Sequence, residues 1–287
     1  MNRPVGRDGP ARWGQARRTR RGRLRRGRRP PWPALAVAAV TVAFVVLPLV
    51  GLLQRAAWSD LARDLTAPEA RDALRLSLVT SVAAAALSVL FGLPLAWVLA
   101  RVRFPGRALV RALTVLPMVV PPVVGGVALL LAFGRRGLVG SHLHDWFGLQ
   151  LTFSTAGAVM AETFVALPFF VITVEAALRS VDPGYEEAAS TLGSGRAATF
   201  RRVTLPLIAP SVAAGAALAW ARALGEFGAT ITFAGNIQGR TQTLPLAVYL
   251  LLDTRPDVAV ALSLVLLFVC AVVLVALRDR WLGAVSR

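Results

Sequence analysis

Neutral hydrogen-bonding side chains are concentrated in residues 225–243, between two apolar stretches of the chain. Hydroxyl and amide groups, together with the backbone N–H groups that glycine exposes, can surround a tetrahedral dianion without adding a full charge. Such donors also release an anion more readily than an Arg clamp would, which suits conduction. The residues that could contact a passing anion or form its gate are Glu226, Gly228, Thr230, Thr232, Asn236, Thr241, Gln242 and Thr243.

Glu226 is the carboxylate whose place in this segment needs a physical reason. On a conduction path it would repel an anion, and a buried carboxylate usually has a partner within the protein. Arg222 lies four residues earlier, which is the spacing of neighbours on one helix face. We predict an ion pair between Arg222 and Glu226 that is structural or takes part in gating. Glu162 and Glu175, which lie in or near another apolar stretch, are predicted to be structural or interfacial.

The residue types present exclude several kinds of catalysis. All 32 basic residues are Arg, whereas a phosphate-binding loop of the common type and a Schiff base both require Lys. His142 and His144 share one loop without a third metal ligand close by, and the single Cys lies in an apolar run. We therefore predict that the chain is not an enzyme and has no catalytic residues, metal or cofactor of its own. ATP, if it drives the protein, is hydrolysed with Mg²⁺ by a partner chain.

A polar segment at 179–206 has the pattern of a short helix pair. Asp182 followed by Pro183 is typical of a helix start, and Gly193 is typical of a helix end. Ser194 is predicted to cap a second short helix, which Pro206 ends. Between Asp182 and Gly193 the apolar positions follow a period of 3.6 and form one stripe, made by Tyr185, Ala188, Ala189 and Leu192. The stripe is too small to anchor the helix in lipid, which favours a groove on a partner protein.

These segments are separated by long apolar stretches that predict an all-α membrane protein. The chain is 56% hydrophobic with a mean hydropathy of +0.62, and a bilayer span needs about 20 apolar residues. About six spans are predicted, at 34–53, 76–100, 108–133, 155–178, 207–224 and 258–277. The first is interpreted as an uncleaved anchor rather than a signal peptide. Pro117, Pro121 and Pro122 interrupt the third, as in helices that bend around a gated path.

The distribution of Arg predicts the orientation of the chain. With the amino terminus inside, the inner segments hold 23 Arg, and the outer segments 54–75, 134–154 and 225–257 hold 8. Both termini are therefore expected in the cytoplasm. Twelve of these Arg lie in residues 1–33. Such a tail could bind nucleic acid or anionic lipid. We interpret it as a disordered cytoplasmic tail that fixes topology, with no nucleic-acid partner, ahead of a transmembrane domain at 34–287.

The segment 179–206 also resembles the coupling loop of ABC importer permeases. In the family pattern, E-A-A is followed by three residues of any type and a Gly. Nine further residues of any type, an aliphatic residue, one residue of any type and L-P complete it. This sequence matches it at Glu187, Ala188, Ala189, Gly193, Val203, Leu205 and Pro206. The resemblance covers roughly residues 70–280 and implies a type I importer permease fold. It also implies that 179–206 docks onto an ABC ATPase subunit in the cytoplasm.

Residues 222–249 resemble the oxyanion branch of these permeases, and most closely its molybdate members. The similarity rests on Arg222–Ala229, Ala234–Ile237 and Gly239–Tyr249, with Gln238 where Pro is common in that group. It implies import of molybdate by alternating access, with sulfate, thiosulfate or tungstate as the alternative. It also implies a homodimer in the bacterial plasma membrane, in contact with the lipid bilayer, that receives its anion from an extracytoplasmic molybdate-binding protein.

Overall fold

The structure, a computed structural model, describes residues 32–285 of the chain, with side chains described for 32–276. Thirteen α-helices and one π-helical turn account for the regular elements of this part, which contains no strand. The α-helices are α1 Trp32–Arg55, α2 Leu61–Leu65, α3 Pro68–Arg101, α4 Arg107–Val119, α5 Pro122–Phe133, α6 Gly140–Phe147, α7 Thr155–Ser180, α8 Gly184–Thr191, α9 Arg196–Thr199, α10 Leu205–Leu224, α11 Gly228–Phe233, α12 Leu244–Thr254 and α13 Pro256–Val285; the π-helical turn is Phe200–Thr204.

Five helices are long and apolar enough to cross a membrane: Trp32–Arg55, Pro68–Arg101, Thr155–Ser180, Arg196–Leu224 and Pro256–Ala276. A sixth candidate is the pair α4 and α5, bent by 118° at its break. The all-α, multi-pass prediction is confirmed, and five of its six spans correspond to single helices. The chain divides into two units after Gly51. The predicted tail lies almost entirely outside the described residues, and its disorder stays a prediction.

Four predicted spans differ from the observed helices in length or shape. The second begins at Pro68 rather than 76, and the last runs to Val285 rather than 277. The third, predicted as one span, is broken between Val119 and Pro122, because proline forces the residue before it into an extended conformation. Val120 and Pro121 accordingly have ψ values of 132° and 133°. The fifth begins at Arg196 rather than 207 and runs through the π-helical turn to Leu224. The second short helix predicted over 194–206 is therefore the start of this span.

The main core joins α3, α7 and α10 around the buried side chain of Phe170. Two glycines make room for this ring, Gly92 on α3 and Gly215 on α10. A Cβ at Gly92 would lie 2.6 Å from Phe170 Cδ1, and one at Gly215 would lie 3.2 Å from Cδ2. Small residues let membrane helices approach closely where apolar area alone gives no driving force. The three long helices thus form a tightly packed frame.

Two smaller cores attach the polar segments to this frame. One packs α12 and α13 against the start of α3, through Ala70, Leu244 and Leu262 among others. The other joins α5, α7 and α11, with Phe233 of α11 fully buried between Leu129 and Val165. The segment 225–243 is therefore held between α10 and α12, and its short helix α11 lies against α5 and α7.

Candidate functional site

Helix α8 forms where the sequence predicts it, and local hydrogen bonds define both of its ends. Asp182 Oδ1 accepts a hydrogen bond from the Gly184 N–H at 2.8 Å. At the other end Gly193 has a φ of +81°, and the Ser194 N–H donates to the Ala189 carbonyl at 3.0 Å. This is the glycine-terminated end that only a residue without Cβ adopts freely. Ser194 does not cap the following helix; the residue at that position is Gly195, without a side-chain bond.

The predicted apolar stripe of α8 is left uncovered within the described part of the chain. Tyr185 is 59% exposed and Leu192 is 88% exposed, while Ala188 is exposed and Ala189 is half-buried. An exposed leucine alone is unremarkable, but a stripe of apolar positions on a defined helix provides a binding surface for a groove. The stripe is therefore available for docking.

Glu186, on another side of α8, anchors the helix to the rest of the protein. Its Oε1 accepts from Arg101 Nη2 at 3.1 Å and Nε at 3.2 Å, and from the Thr204 hydroxyl at 3.0 Å. Arg101 also donates to the Val181 carbonyl at 3.3 Å. The carboxylate thus joins α8 to the last residue of α3 and to the π-helical turn. The sequence analysis missed this contact, since nothing in the local pattern links residues 85 positions apart.

Of the remaining residues of the coupling pattern, Glu187 lies on α8, while Val203, Leu205 and Pro206 lie in the first part of the fifth span. Glu187 and Pro206 are exposed, and Val203 is half-buried in the π-helical turn. Leu205 packs against the main core. Glu187 and Pro206 are therefore accessible at the surface of the described residues, whereas Leu205 contributes to packing.

Glu226 lies fully buried at the start of the segment 225–243, and the predicted ion pair is confirmed. Its Oε2 lies 2.6 Å from Arg222 Nη2, and its Oε1 accepts from the Ala229 N–H at 2.9 Å. The carboxylate is 1% exposed while the Arg222 side chain keeps 27%. Glu226 therefore fixes the first turn of α11 to the end of α10, and both of its oxygens are used within the protein.

Two glycines allow α11 to lie almost in backbone contact with α5. A Cβ at Gly126 would lie 2.7 Å from Thr232 Cβ and 2.9 Å from the Ala229 carbonyl oxygen. A Cβ at Gly228 would lie 2.9 Å from Pro122 Cβ. Of these two, only Gly228 was a predicted site residue. The short helix is thus tightly packed against the arm that follows the proline break.

Some hydroxyl and amide atoms of the segment are hydrogen-bonded within the protein, and other atoms have no partner in the described part of the chain. The Thr232 hydroxyl donates to the Gly228 carbonyl at 2.8 Å, and Thr241 Oγ1 accepts from the Ile237 N–H at 2.9 Å, so both support the local fold. Asn236 Nδ2 donates to the Leu246 carbonyl at 3.4 Å. In contrast, three buried oxygens have no partner among the described residues: Thr230 Oγ1, Asn236 Oδ1 and Thr243 Oγ1. The Gln242 side chain is also buried.

A polar stripe on α3, which was not among the predicted site residues, bonds to the first residue of α12 and to two long helices, α7 and α10. Ser77 Oγ accepts from the Leu244 N–H at 2.6 Å, and the Thr80 hydroxyl donates to Glu162 Oε1 at 2.8 Å. Ser81 Oγ accepts from the indole N–H of α10 at 3.0 Å. A spacing of three or four residues places these side chains on one helix face. Polar residues at this spacing within an apolar stretch are the sequence signal that could have predicted the stripe.

Glu175 and His142 have structural contacts, whereas the buried Nδ1 of His144 has no hydrogen-bond partner among the described residues. Glu175 accepts hydrogen bonds from the guanidinium groups of Arg111 on α4 and Arg179 on α7, which ties the arm before the proline break to α7. His142 Nδ1 lies 3.1 Å from the Leu138 carbonyl oxygen. Among the described residues no group of three or more His, Cys, Asp or Glu side chains could hold a metal ion.

Comparisons with a protein family, with individual relatives and with solved structures give a consistent result. Residues 88–283 match the family described as binding-protein-dependent transport system inner membrane component. The molybdenum transport system permease protein ModB of Mycobacterium tuberculosis is 49% identical over 253 residues, covering 88% of this chain and 94% of that protein. The protein of the same name from Escherichia coli K12 is 45% identical over 223 residues, covering 78% of this chain and 97% of its own length.

More distant similarities extend beyond this group. The sulfate transport system permease protein CysT of Salmonella typhimurium is 38% identical over 235 residues, covering 78% of this chain and 84% of that protein. Among solved structures, a bacterial ABC transporter involved in the import of alginate matches with a TM-score of 0.67 at 22% identity. That match covers 86% of this chain and 94% of the other, and it supports the fold assignment.

Proposed function

Because the chain belongs to the family of binding-protein-dependent transport system inner membrane components, we propose that it is the membrane subunit of an ATP-driven importer of molybdate. The relatives named for molybdenum transport, at 49% and 45% identity, support this substrate over sulfate, whose relative is 38% identical. The observation that carries the transport mechanism is the uncovered stripe of α8 on a helix that Glu186 holds in place.

In this mechanism α8 binds an ABC ATPase subunit, which uses Mg²⁺ and hydrolyses ATP; this chain needs no cofactor. A helix can transmit a movement only if both of its ends are attached. Arg196–Leu224 is 29 residues long, which corresponds to roughly 40 Å at 1.5 Å per residue. Its base is joined to α8 by Thr204 and Glu186, and its far end is joined to the segment 225–243 by Arg222 and Glu226. Displacement of α8 by the ATPase would thus reach the gate.

The segment 225–243 is the proposed gate and transient anion contact. Thr230, Asn236 and Thr243 each have a buried oxygen without a partner among the described residues, and a buried polar atom of this kind normally has a hydrogen-bond partner. The two hydroxyls can donate to an oxyanion, and the amide oxygen of Asn236 can accept from water that accompanies it. Since both oxygens of Glu226 are held by Arg222 and the Ala229 N–H, its charge is compensated before an anion arrives.

The proposed assembly is a homodimer, because one chain of about six spans rarely encloses a transport path alone. Two copies of the chain would enclose the path, with both termini in the cytoplasm of a bacterium and the helices in its plasma membrane. An extracytoplasmic molybdate-binding protein would contact the outer segments 54–75 and 134–154. A solved transporter of similar fold is described in complex with a periplasmic protein that carries its substrate, which supports a partner of this kind.

The test is uptake of radiolabelled molybdate into vesicles that contain this chain with its ATPase and binding-protein partners. We expect uptake that depends on ATP and resists an equal concentration of sulfate; a parallel competition with tungstate measures discrimination among closely related anions. Uptake abolished by equimolar sulfate would overturn the molybdate assignment. Retention of the ATPase by Tyr185→Ala and Leu192→Ala variants, together with normal transport, would overturn the docking role of α8.

A further inference from the structure

A cleft with a charged half and an apolar half lies where α3 ends beside α8 and α9. The charged half has a volume of about 400 Å³, and its lining includes Arg101, Arg103, Arg196, Ser190 and Ser194. This is room for on the order of ten water molecules, more than a bare tetrahedral anion needs. The apolar half, of about 300 Å³, continues along α3 and α9. We call the two together the interfacial cleft.

The charged half carries an excess of positive charge. It contains three guanidinium groups and one carboxylate, that of Glu186. Glu186 is already paired with Arg101, and neither Arg103 nor Arg196 has an ion pair with another described residue. Guanidinium groups bind phosphate oxygens with two parallel N–H bonds. Two unpaired Arg beside two serine hydroxyls therefore form a site that fits a phosphate group.

The apolar half lies deeper along the spanning helix than the charged half. Its lining includes Leu93, Pro94 and Trp97 of α3, together with Ala197 and Phe200. Leu93 precedes Arg101 by eight residues, which is roughly 12 Å along the helix axis. The rings of Trp97 and Phe200 pack edge to face with centroids 6.4 Å apart, and both rings line both halves. A tryptophan near the end of a span is typical of the membrane–water boundary.

We propose that the interfacial cleft binds an anionic phospholipid, with its headgroup phosphate at Arg103 and Arg196 and an acyl chain along Trp97 and Phe200. A free inorganic anion shares the headgroup chemistry but does not account for an apolar half that begins at the same two rings. The uncovered stripe of α8 is separate from the cleft, since neither Tyr185 nor Leu192 lines it. A bound lipid would thus contact the anchored side of α8 and leave the docking stripe available.

The experiment is native mass spectrometry of the full-length chain in detergent with added phosphatidylglycerol or phosphatidylcholine of the same acyl chains. We expect retention of phosphatidylglycerol and little retention of phosphatidylcholine. The double variant Arg103→Gln with Arg196→Gln should bind phosphatidylglycerol about thirtyfold more weakly, since each Arg near an anionic headgroup contributes roughly fivefold. The matched control is Arg135→Gln with Arg136→Gln, two exposed Arg outside the cleft, which should bind like the unmodified chain.

A second variant separates a lipid from a free anion. Ala197→Phe fills the apolar half without changing charge, and we expect it to weaken phosphatidylglycerol binding. Millimolar inorganic phosphate should leave the lipid bound to the unmodified chain. Displacement of the lipid by phosphate together with normal binding by Ala197→Phe would assign a free-anion site and overturn the proposal. Equal retention of the two lipids, or equal loss in the matched control, would also overturn it. None of these measurements depends on transport.

Discussion

The contact between α5 and α11 can be tested by adding one methyl group, with the change Gly126→Ala. The new Cβ would lie 2.7 Å from Thr232 Cβ, 2.9 Å from the Ala229 carbonyl oxygen and 3.0 Å from Ala229 Cα. None of these atoms is the free end of a flexible side chain, so the two helices must move apart to accept it. We expect the variant to separate α11 from α5 and to impair transport.

The magnitude follows from two opposing effects. Overpacking of a dense contact costs about 1–3 kcal/mol, and contacts with backbone atoms place Gly126→Ala near 3 kcal/mol. Replacing a helical glycine with alanine returns up to about 1 kcal/mol through helix propensity. The expected loss in the free energy of unfolding is therefore about 2 kcal/mol. In thermal unfolding of the detergent-solubilised chain this corresponds to a midpoint roughly 4–8 °C lower.

The matched control is Gly225→Ala, in the same region of the chain. The nearest atom to a Cβ at Gly225 is the Ala221 carbonyl oxygen at 3.7 Å, an ordinary van der Waals distance, so the thermal midpoint should change little. The assay is the thermal midpoint together with molybdate uptake for both variants. If Gly126→Ala melts and transports like the unmodified chain, or if Gly225→Ala loses as much, the close contact inferred between α5 and α11 is wrong.

Three further substitutions address the polar contacts. Glu226→Gln leaves the charge of Arg222 uncompensated and should reduce uptake. It should also lower the free energy of unfolding by about 2 kcal/mol, less than the roughly 3–5 kcal/mol lost when a fully buried pair is broken, because the Arg222 side chain is 27% exposed. Addition of Arg222→Gln should restore part of that stability in chemical denaturation. Arg111→Gln should lower the free energy of unfolding by about 1–2 kcal/mol, because Arg111 on α4 pairs with Glu175 on α7 and so joins two helices. Arg179→Gln should lower it by under about 0.5 kcal/mol, because Arg179 lies on the same helix as Glu175; equal losses in the two variants would contradict this reasoning. Gly193→Asp places a side chain at a φ of +81°, costs about 1 kcal/mol in the helix end, and should reduce co-purification of the ATPase; full retention with normal transport would contradict the docking assignment.

The parts of the fold that could be predicted from the sequence are those with a local physical cause. A lipid-embedded backbone must satisfy its own hydrogen bonds, so each long apolar stretch predicts a helix. The ends of α8 depend on neighbouring residues, Asp182 at one end and Gly193 at the other. The pair of Arg222 and Glu226 lies within one turn of chain, and the spacing alone predicted it.

The break in the third span shows where such reasoning stops. Pro121 and Pro122 indicate an interruption, but the angle of 118° between α4 and α5 depends on contacts made by both arms. The arm before the break is held by Arg111 on Glu175. The arm after it is held by the close approach of Gly126 to α11. Neither contact has a periodic signal, since its partners lie in separate helices.

By itself, the sequence determined that this is an all-α membrane protein with a short helix at 184–191 and a segment of neutral hydrogen-bond donors. Each of these follows from composition, period or spacing within about 20 residues. Only the tertiary structure showed that an ion pair between Glu186 and Arg101 attaches α8 to α3. It also showed which hydroxyl groups of the polar segment already have hydrogen-bond partners within the protein. It also decided that one helix from Arg196 to Leu224 is bonded to α8 through Thr204 and to the polar segment through Arg222. The physical reason is that side-chain contacts between distant residues depend on how whole helices pack, which no local pattern records.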